Sequence, residues 1–600
     1  MAHDCTLTIL MKIKAPLLCA ATGVSAWGYD KTFHRNERGE PAILKSHVKG
    51  KLREAWRELG FGDDFIGKWL GREEKKDLAD VKGKLIFSDL VLQGKASHPT
   101  KHHRIRIHPA TGTAAEGALI AVEGLFKSGE ITAWRGDINF PAENEAGAAD
   151  LKNRVMAGLR WITAIGSEKS VGFGRLVAVE EQGWQPEETA PVPQPKELSK
   201  SVAPRRGLTL LAAEPLTIGS VRIKNNYLET GDVITGAAIK GALAQCIRRR
   251  VNLSDDKLIE PCEKLNSAGL STLARHFEAI RFTHAFPSPC EGKRPVVFPL
   301  SLVNEGKADV ALMAGPGLVG GRAPAFSIDW KDHSAVTADY GWTHPRTIAT
   351  TRTAIHEETR RSNAEQLYTF EAMCPTDGSG RQVYWAGDVV FPPAIPAAEA
   401  VKLEHELEWV VNHWFDRIGK RGGRLKRADL LREPNRPAIA ESDCVRDGHC
   451  IVTLQSDALM LDPWTLQDGD RQTLRRAYAD YWDAVSGGAL TLVRHLATQK
   501  LLGGYLGRRF KPMGEERYFP FFLTGAGAVF VLKAEDADFA GRLCDKWETG
   551  GLPAPVWAKD VRYGKTAEGR LDWGRCPFTP ENGFGEIAIN LPCHWDLQAG

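Results

Sequence analysis

The stretch running from Ile43 to Leu52 returns 191 residues later: Ile43, Val48, Lys49, Gly50 and Leu52 match Ile234, Ile239, Lys240, Gly241 and Leu243. A second pair follows in the same order at an offset of 248, where "IHPATGTAAEGALIAVE" from Ile107 matches "IHEETRRSNAEQLYTFE" from Ile355 and Arg104 falls on Arg352. Two ordered matches argue for duplicated units, the second with a longer middle, and a repeat limits the fold more than composition does.

Each repeat reads alike. A strand (Leu7 to Ile13; Leu208 to Ala212) leads through a loop to a helix. In the first copy Ser46 is the expected N-cap, and Val48, Leu52, Trp56 and Leu59 form the apolar stripe. A second helix follows with Leu151, Val155, Leu159, Ile162 and Ile165 on one face and Gly166 as its C-cap. Next comes the glycine-rich loop "SEKSVGFGR", then a strand. "LEWVVNHWFDRIGKRGGRLKRADL" is the same pattern in the second copy, and "ENGFGEIAINL" closes a third. A β-α-β-β-α-β order makes the expected fold α+β: three ferredoxin-like units in tandem with hairpin insertions.

With 600 residues the chain is too long for one core. A proline-rich polar stretch from Gln185 to Arg206 and a weaker break from Arg432 to Asp443 divide it. The expected units are 1–186, 206–435 and 445–593, with 187–205 as linker. Net charge is only +3, so polyanion binding requires local clustering of cations. Lys12 and Lys14 interrupt the apolar N-terminus, which alternates like a strand and not like an export signal. No apolar run is long enough to span a bilayer, so a cytoplasmic protein without a membrane partner is expected. The 11 cysteines lack paired zinc spacing and read as reduced, mostly buried thiols.

Candidate chemistry lies where the first helix meets the glycine loop. Lys45, Ser46, Lys49, Gly50 and Lys51 open the helix; Lys169, Gly172, Phe173, Gly174 and Arg175 form the loop. Helix N-termini and bare main chain cradle phosphates, although the same glycines would also permit close helix–sheet packing. The stretch "HPTKHHRIRIHPATG" holds His98, Lys101, His102, His103, Arg104, Arg106 and His108. It reads as a basic hairpin gripping nucleic acid, with a zinc site or a plain surface loop as alternatives. Asp30 sits among Lys31, His34, Arg35 and Arg38. There it could hold a divalent metal against a scissile phosphate, assist a 2′-hydroxyl, or make a loop salt bridge.

"GEPAILKSHVKGKLREAW", "RIRIHPATGTAAEGAL" and "GSEKSVGFGRL" resemble the RAMP superfamily of CRISPR effector complexes. The first segment is most similar to the Cas-seven-like backbone subunits of type III systems. In those a loop aspartate precedes G-x-P-x-I-P-G-S-S-x-K-G-x-x-R, matched here by Asp30 and then Gly39, Pro41, Ile43, Ser46, Lys49, Gly50 and Arg53. "LKSH" replaces the family's "PGSS". Segments two and three resemble a type III-D Cas-five-like subunit through "PLTIGSVRIKNNYLETGDVITGAAIKGALA", "RTAIHEETRRSNAEQLYTFEAM", "GGYLGRRFKPM" and "NGFGEIAIN".

The resemblance implies a guide-RNA (crRNA)-binding fusion subunit of a type III ribonucleoprotein. Its first part would hold the guide backbone and cleave paired target RNA through Asp30 with a divalent ion, Mg2+ being the expected one. Its later parts would grip the 5′ tag. RNA contacts are implied at His34, Arg35, Lys45, Ser46, His47, Lys49, Gly50, Arg53, His102, His103, Arg104 and Arg106, and in the loop from Lys169 to Arg175. Further contacts are implied at Arg222, Lys224, Lys240, Arg352, His356, Lys420, Arg421, Arg424, Arg508 and Arg509. Asp232 aligns with Pro41 and not with Asp30, so the later units are expected to bind without cutting. Partners would be crRNA, target RNA, a large polymerase-like subunit, further backbone subunits and a small helical subunit. Two other readings stay open: a non-catalytic structural subunit, and a metal-independent guide-precursor endoribonuclease using His34, His47 or His102.

Overall fold

The computed structural model describes residues 3–20, 28–72, 82–96, 100–105, 107–194, 203–224, 226–254, 257–303, 306–313, 334–355, 362–420, 422–439, 443–464, 466, 471–503, 506, 510 and 520–596. Arg106, His356, Arg421, Arg508 and Arg509 lie outside them, as do the side chains of Arg222 and Lys224.

Alternation builds the first sheet. Cys5, Leu7, Ile9, Met11 and Ile13 all point into one face of the strand His3–Lys14 and are fully buried. That strand pairs antiparallel with Ile131–Ala142 on one side and Arg175–Glu188 on the other. Ile86–Phe87 and Leu90–Gln93 pair beyond Ile131–Ala142. The helices Lys45–Glu58 and Glu145–Trp161 cover the apolar face. They cross closely at Gly158, where a Cβ would lie 2.6 Å from Leu52 and 2.7 Å from Trp56.

The second unit has the same construction: Arg205–Ala212, the helix Gly236–Arg250, Arg281–Phe282 with Phe286–Ser288, Tyr384–Val390, the helix Ala397–Trp414, and Gly423–Leu430. The third uses His449–Leu454, Arg471–Ser486, Leu490–Leu496, Val529–Ala534, Ala537–Gly550 and Ile587–Ile589. In all three sheets the principal strands lie in the spatial order second, third, first, fourth, and all are antiparallel.

Both repeats survive in three dimensions. The helices begin at Lys45 and Gly236, in the register of the first repeat, and Ile43, Val48, Leu52, Ile234, Ile239 and Leu243 are all buried. The second repeat is a pair of long hairpins. Arg104 sits opposite Ile120 in one, and Arg352 opposite Tyr368 in the other, at the same offset of 248.

Several local expectations change. Leu44, not Ser46, is the N-cap, and the Lys45 N–H donates to Asp89 Oδ1 at 2.6 Å. The second helix stops at Trp161, and Gly166 instead turns the chain at φ +95°, where a Cβ would lie 2.5 Å from the Leu18 carbonyl oxygen. Part of the expected linker is packed: Val192 is buried in the second unit's core. Near the weaker break, Asn435 is buried and bonded to Asp388. All eleven cysteines are thiols and eight are buried.

The third unit's glycine loop packs against the second unit. A Cβ on Gly583 would lie 2.6 Å from both His284 and the Phe282 carbonyl, and one on Gly236 would strike Phe282 and Asn582. Glu586, beside this loop, accepts from Arg294 at 2.8 and 2.7 Å. Burial opposes its ionisation, yet Arg294, Arg205 and Arg281 hold its carboxyl below the usual range. Glu586→Ala would strand these guanidiniums, so a loss of about 3–5 kcal/mol is expected, read as a lower urea midpoint for the full chain.

Candidate nucleic-acid interface

Because the repeated helices of the first two units face one another, a cleft of about 640 Å³ opens between them. One wall is the start of Lys45–Glu58 with residues 82–87; the other is the helix Gly236–Arg250 with Ile418, Gly419, Lys420 and Gly422. Among the described residues nine lysines and arginines line it, and no aspartate or glutamate does. Ile86, Phe87, Ile218, Leu253 and Ile418 add apolar surface. Single-signed charge over low-dielectric walls focuses potential, which is what a polyanion groove requires.

The carboxylates lie at the base, where they join the units. Lys45 Nζ meets Glu214 at 2.8 Å, Arg249 meets Asp416 at 2.8 Å and Asp4 at 3.5 Å, and Arg250 meets Asp4 at 3.2 Å. Burial opposes ionisation of Glu214, but Lys45 leaves its carboxyl below the ordinary value. Asp89 already occupies the first N–H of the lysine helix. That leaves the helix side as cleft surface, where Ser46 and Lys49 line it. Gly50 is exposed, and neither Gly50 nor Gly241 would bring a Cβ within 4 Å of another atom.

The structure separates the other expected residues. Arg35 pairs with Glu123 at 2.7 Å, while Lys31 (2.7 Å) and Arg104 both pair with Glu168. Arg53 donates to the Leu70 carbonyl at 2.7 Å, a link between helices. In the glycine loop Lys169, Gly172 and Arg175 are exposed, and Gly172 has open space at φ +91°. Phe173 and Gly174 are buried, and a Cβ on Gly174 would collide with the Ile165 carbonyl. His103 is exposed, whereas His102 sits edge-on to Phe173 at 6.2 Å. Burial lowers the pKa of His34, and burial with Lys169 and Arg352 lowers that of His47 to about 4. Lys420 and Arg352 line the cleft; Arg424 is exposed, 3.9 Å from Asp137.

Lys240 overturns its sequence reading. Its amine donates to the carbonyls of Glu278 (2.6 Å) and Ile280 (3.0 Å), and burial lowers its pKa to about 8. It anchors a loop and does not face a phosphate.

Asp30 is exposed, and its direction is set by the neighbouring hairpin. The Ala121 N–H donates to Asp30 Oδ2 at 2.6 Å, and the Asp30 N–H donates to the Ala121 carbonyl at 2.8 Å. Among the described residues Asp30 belongs to no group of three or more metal-binding side chains. Mg2+ commonly uses one or two carboxylates and completes its shell with substrate phosphates and water, so Asp30 fits a substrate-completed site and not a preformed one.

Lys82, Lys84, Arg248, Arg249 and Arg417 line the cleft but escaped the sequence reading. "VKGK" and the run Arg248–Arg249–Arg250 were the available signals; that they face Lys49 depends on the packing of two units.

Residues 16–177 match the model of the RAMP superfamily. Among solved structures the chain is similar to "Cryo-EM structure of the Type III-B Cmr-beta bound to cognate target RNA", at 16% identity and TM-score 0.23, over 30% of this chain and 60% of that one. It is also similar to "Type III-B Cmr-beta Cryo-EM structure of the Apo state", at 14% identity and TM-score 0.22, over 29% of this chain and 97% of that one. No curated protein matches.

Lys49→Ala is expected to flatten the logarithmic salt dependence of RNA binding by about 0.7 unit, and Lys240→Met to leave it unchanged. Lys240 instead affects stability. Its folded pKa of about 8 lies below the ordinary lysine value of 10.5, so the unfolded chain binds more protons between these values and stability rises with pH there. Lys240→Met removes that rise, measured by chemical denaturation from pH 7 to 10.5.

Proposed function

We propose that this chain, a RAMP-superfamily protein through residues 16–177, is a guide-RNA-binding subunit of a type III CRISPR ribonucleoprotein. The observation that carries the reading is the cleft between the first two units, lined among the described residues by nine cations and no carboxylate. A ribose-phosphate strand fits it by charge, and Gly241 in its lining and the exposed Gly50 next to Lys49 leave main chain uncovered for close approach. Phosphate contacts of this kind are largely indifferent to base sequence and weaken steeply with salt. Other type III subunits and complementary target RNA are the partners this role requires.

Within this reading Asp30 is the residue for target-RNA cleavage. Mg2+ bound there would stabilise charge on the scissile phosphate. Ala121 holds one carboxylate oxygen and so orients the other, while Glu168 and Glu123 tie down Lys31, Arg104 and Arg35 around it. Metal-independent processing is less well supported. With their pKa values lowered, His34 and His47 are mostly neutral near pH 7, so neither is a ready proton donor.

Asp30→Ala in the assembled complex is expected to abolish cleavage of paired target RNA while guide RNA still co-purifies. Undiminished cutting would leave a purely structural subunit. Gly50→Ala separates fold from function: with open space around it, alanine should stabilise the unbound protein by up to about 1 kcal/mol and weaken RNA binding. Unchanged binding would mean that RNA does not approach this helix.

A further inference from the structure

Among the described residues, four buried nitrogens in or next to the cleft lining have no hydrogen-bond partner; Arg249 and Arg417, which own two of them, bond to Asp416 and Asn139 through their other nitrogens, which leaves His47 Nδ1 and Arg352 Nε. They come from different units. His47 is in the first turn of the lysine helix, while Arg352 is carried on Pro345–Ile355, lines the cleft and lies over the Phe370 ring at 5.1 Å. Buried donors are seldom left unpaired, and a guanidinium least of all.

The duplication supplies an internal control. Arg104, the register equivalent of Arg352, has its counter-anion in Glu168. Among the described residues no carboxylate lies within ion-pair distance of Arg352. Asp89 acts on it electrostatically but already accepts the Lys45 N–H. Lys169, Arg352 and Lys51 all add positive potential at His47. The first unit thus completes its hairpin arginine with a protein carboxylate, and the second leaves that arginine facing the cleft.

Resting on the RNA-binding reading, we propose that Arg352 and His47 jointly clamp one backbone phosphodiester, so that the second unit completes a phosphate site begun by the first. Arg352 donates Nε–H to one phosphate oxygen. Neutral His47 donates from the tautomer protonated at Nδ1, a role that needs no imidazolium. Lys169 adds charge from the glycine loop.

The test is a double-mutant cycle on the full chain, with a fluorescently labelled single-stranded RNA as probe and thermal melting of the RNA-free protein alongside. Arg352→Gln is expected to weaken binding about tenfold and to leave the melting temperature unchanged or higher, since it removes a half-buried guanidinium that has no carboxylate partner among the described residues. His47→Asn in the Arg352→Gln background should add far less than it does alone, because both act on one phosphate. Arg352→Lys, which keeps the charge without Nε–H, should bind between wild type and Arg352→Gln; it serves in its place if the glutamine variant misfolds. Multiplicative losses, or a lower melting temperature with normal RNA affinity, would overturn the clamp and leave the RNA-binding reading standing. Wild-type protein that bound no RNA would overturn that reading and the clamp with it.

Discussion

The relation between the first and second units depends on the ion pairs beneath the cleft. Asp4, on the first strand of the first unit, receives Arg249 and Arg250 from the repeated helix of the second, and Arg249 also meets Asp416. Arg417 donates to Asn139 at 2.7 Å across the same junction. Burial opposes ionisation of Asp416, but Arg249 and Arg417 keep its carboxyl below the ordinary range. Such pairs contribute little net stability compared with apolar packing, yet breaking one is costly. They therefore specify an arrangement: two lysine- and arginine-bearing helices held face to face, their acids drawn to the floor.

Duplication followed by divergence accounts for much of the rest. One backbone plan appears three times, but polar groups at equivalent positions have different partners. Lys49 lines the cleft, while Lys240 closes on two carbonyls. Arg104 has Glu168 and Arg352 has the cleft. The glycine loops diverge most. Gly172 is open, Gly419 lines the cleft, and Gly583 is pressed against His284. Among the described residues the cationic cleft belongs to the first two units, and the third packs its loop against the second.

The apolar part of the design was legible because it is periodic. Val48, Leu52 and Trp56 follow helical spacing and Cys5 to Ile13 follow strand spacing, and each pattern gives a buried face. Helix ends were harder. Ser46 has the right chemistry for a cap, but Asp89, 44 positions beyond Lys45, occupies the first N–H. Glycines were ambiguous for a related reason: Gly50 and Gly174 are the same residue type, and whether each borders open space or the Ile165 carbonyl depends on chain distant in sequence.

From the sequence alone came the repeat, the βαββαβ plan, the buried stripes and the basic character of the first helix, since these depend on neighbours three, four or two positions away. Tertiary structure decided which charges remain available to a ligand. Lys240, Arg53 and Arg104 were withdrawn by protein partners, while Arg352, Lys82 and Lys84 were brought to the cleft. Electrostatic and hydrogen-bond partners are chosen by distance in space, and in a chain of three docked units nearly all the decisive ones lie far apart in sequence.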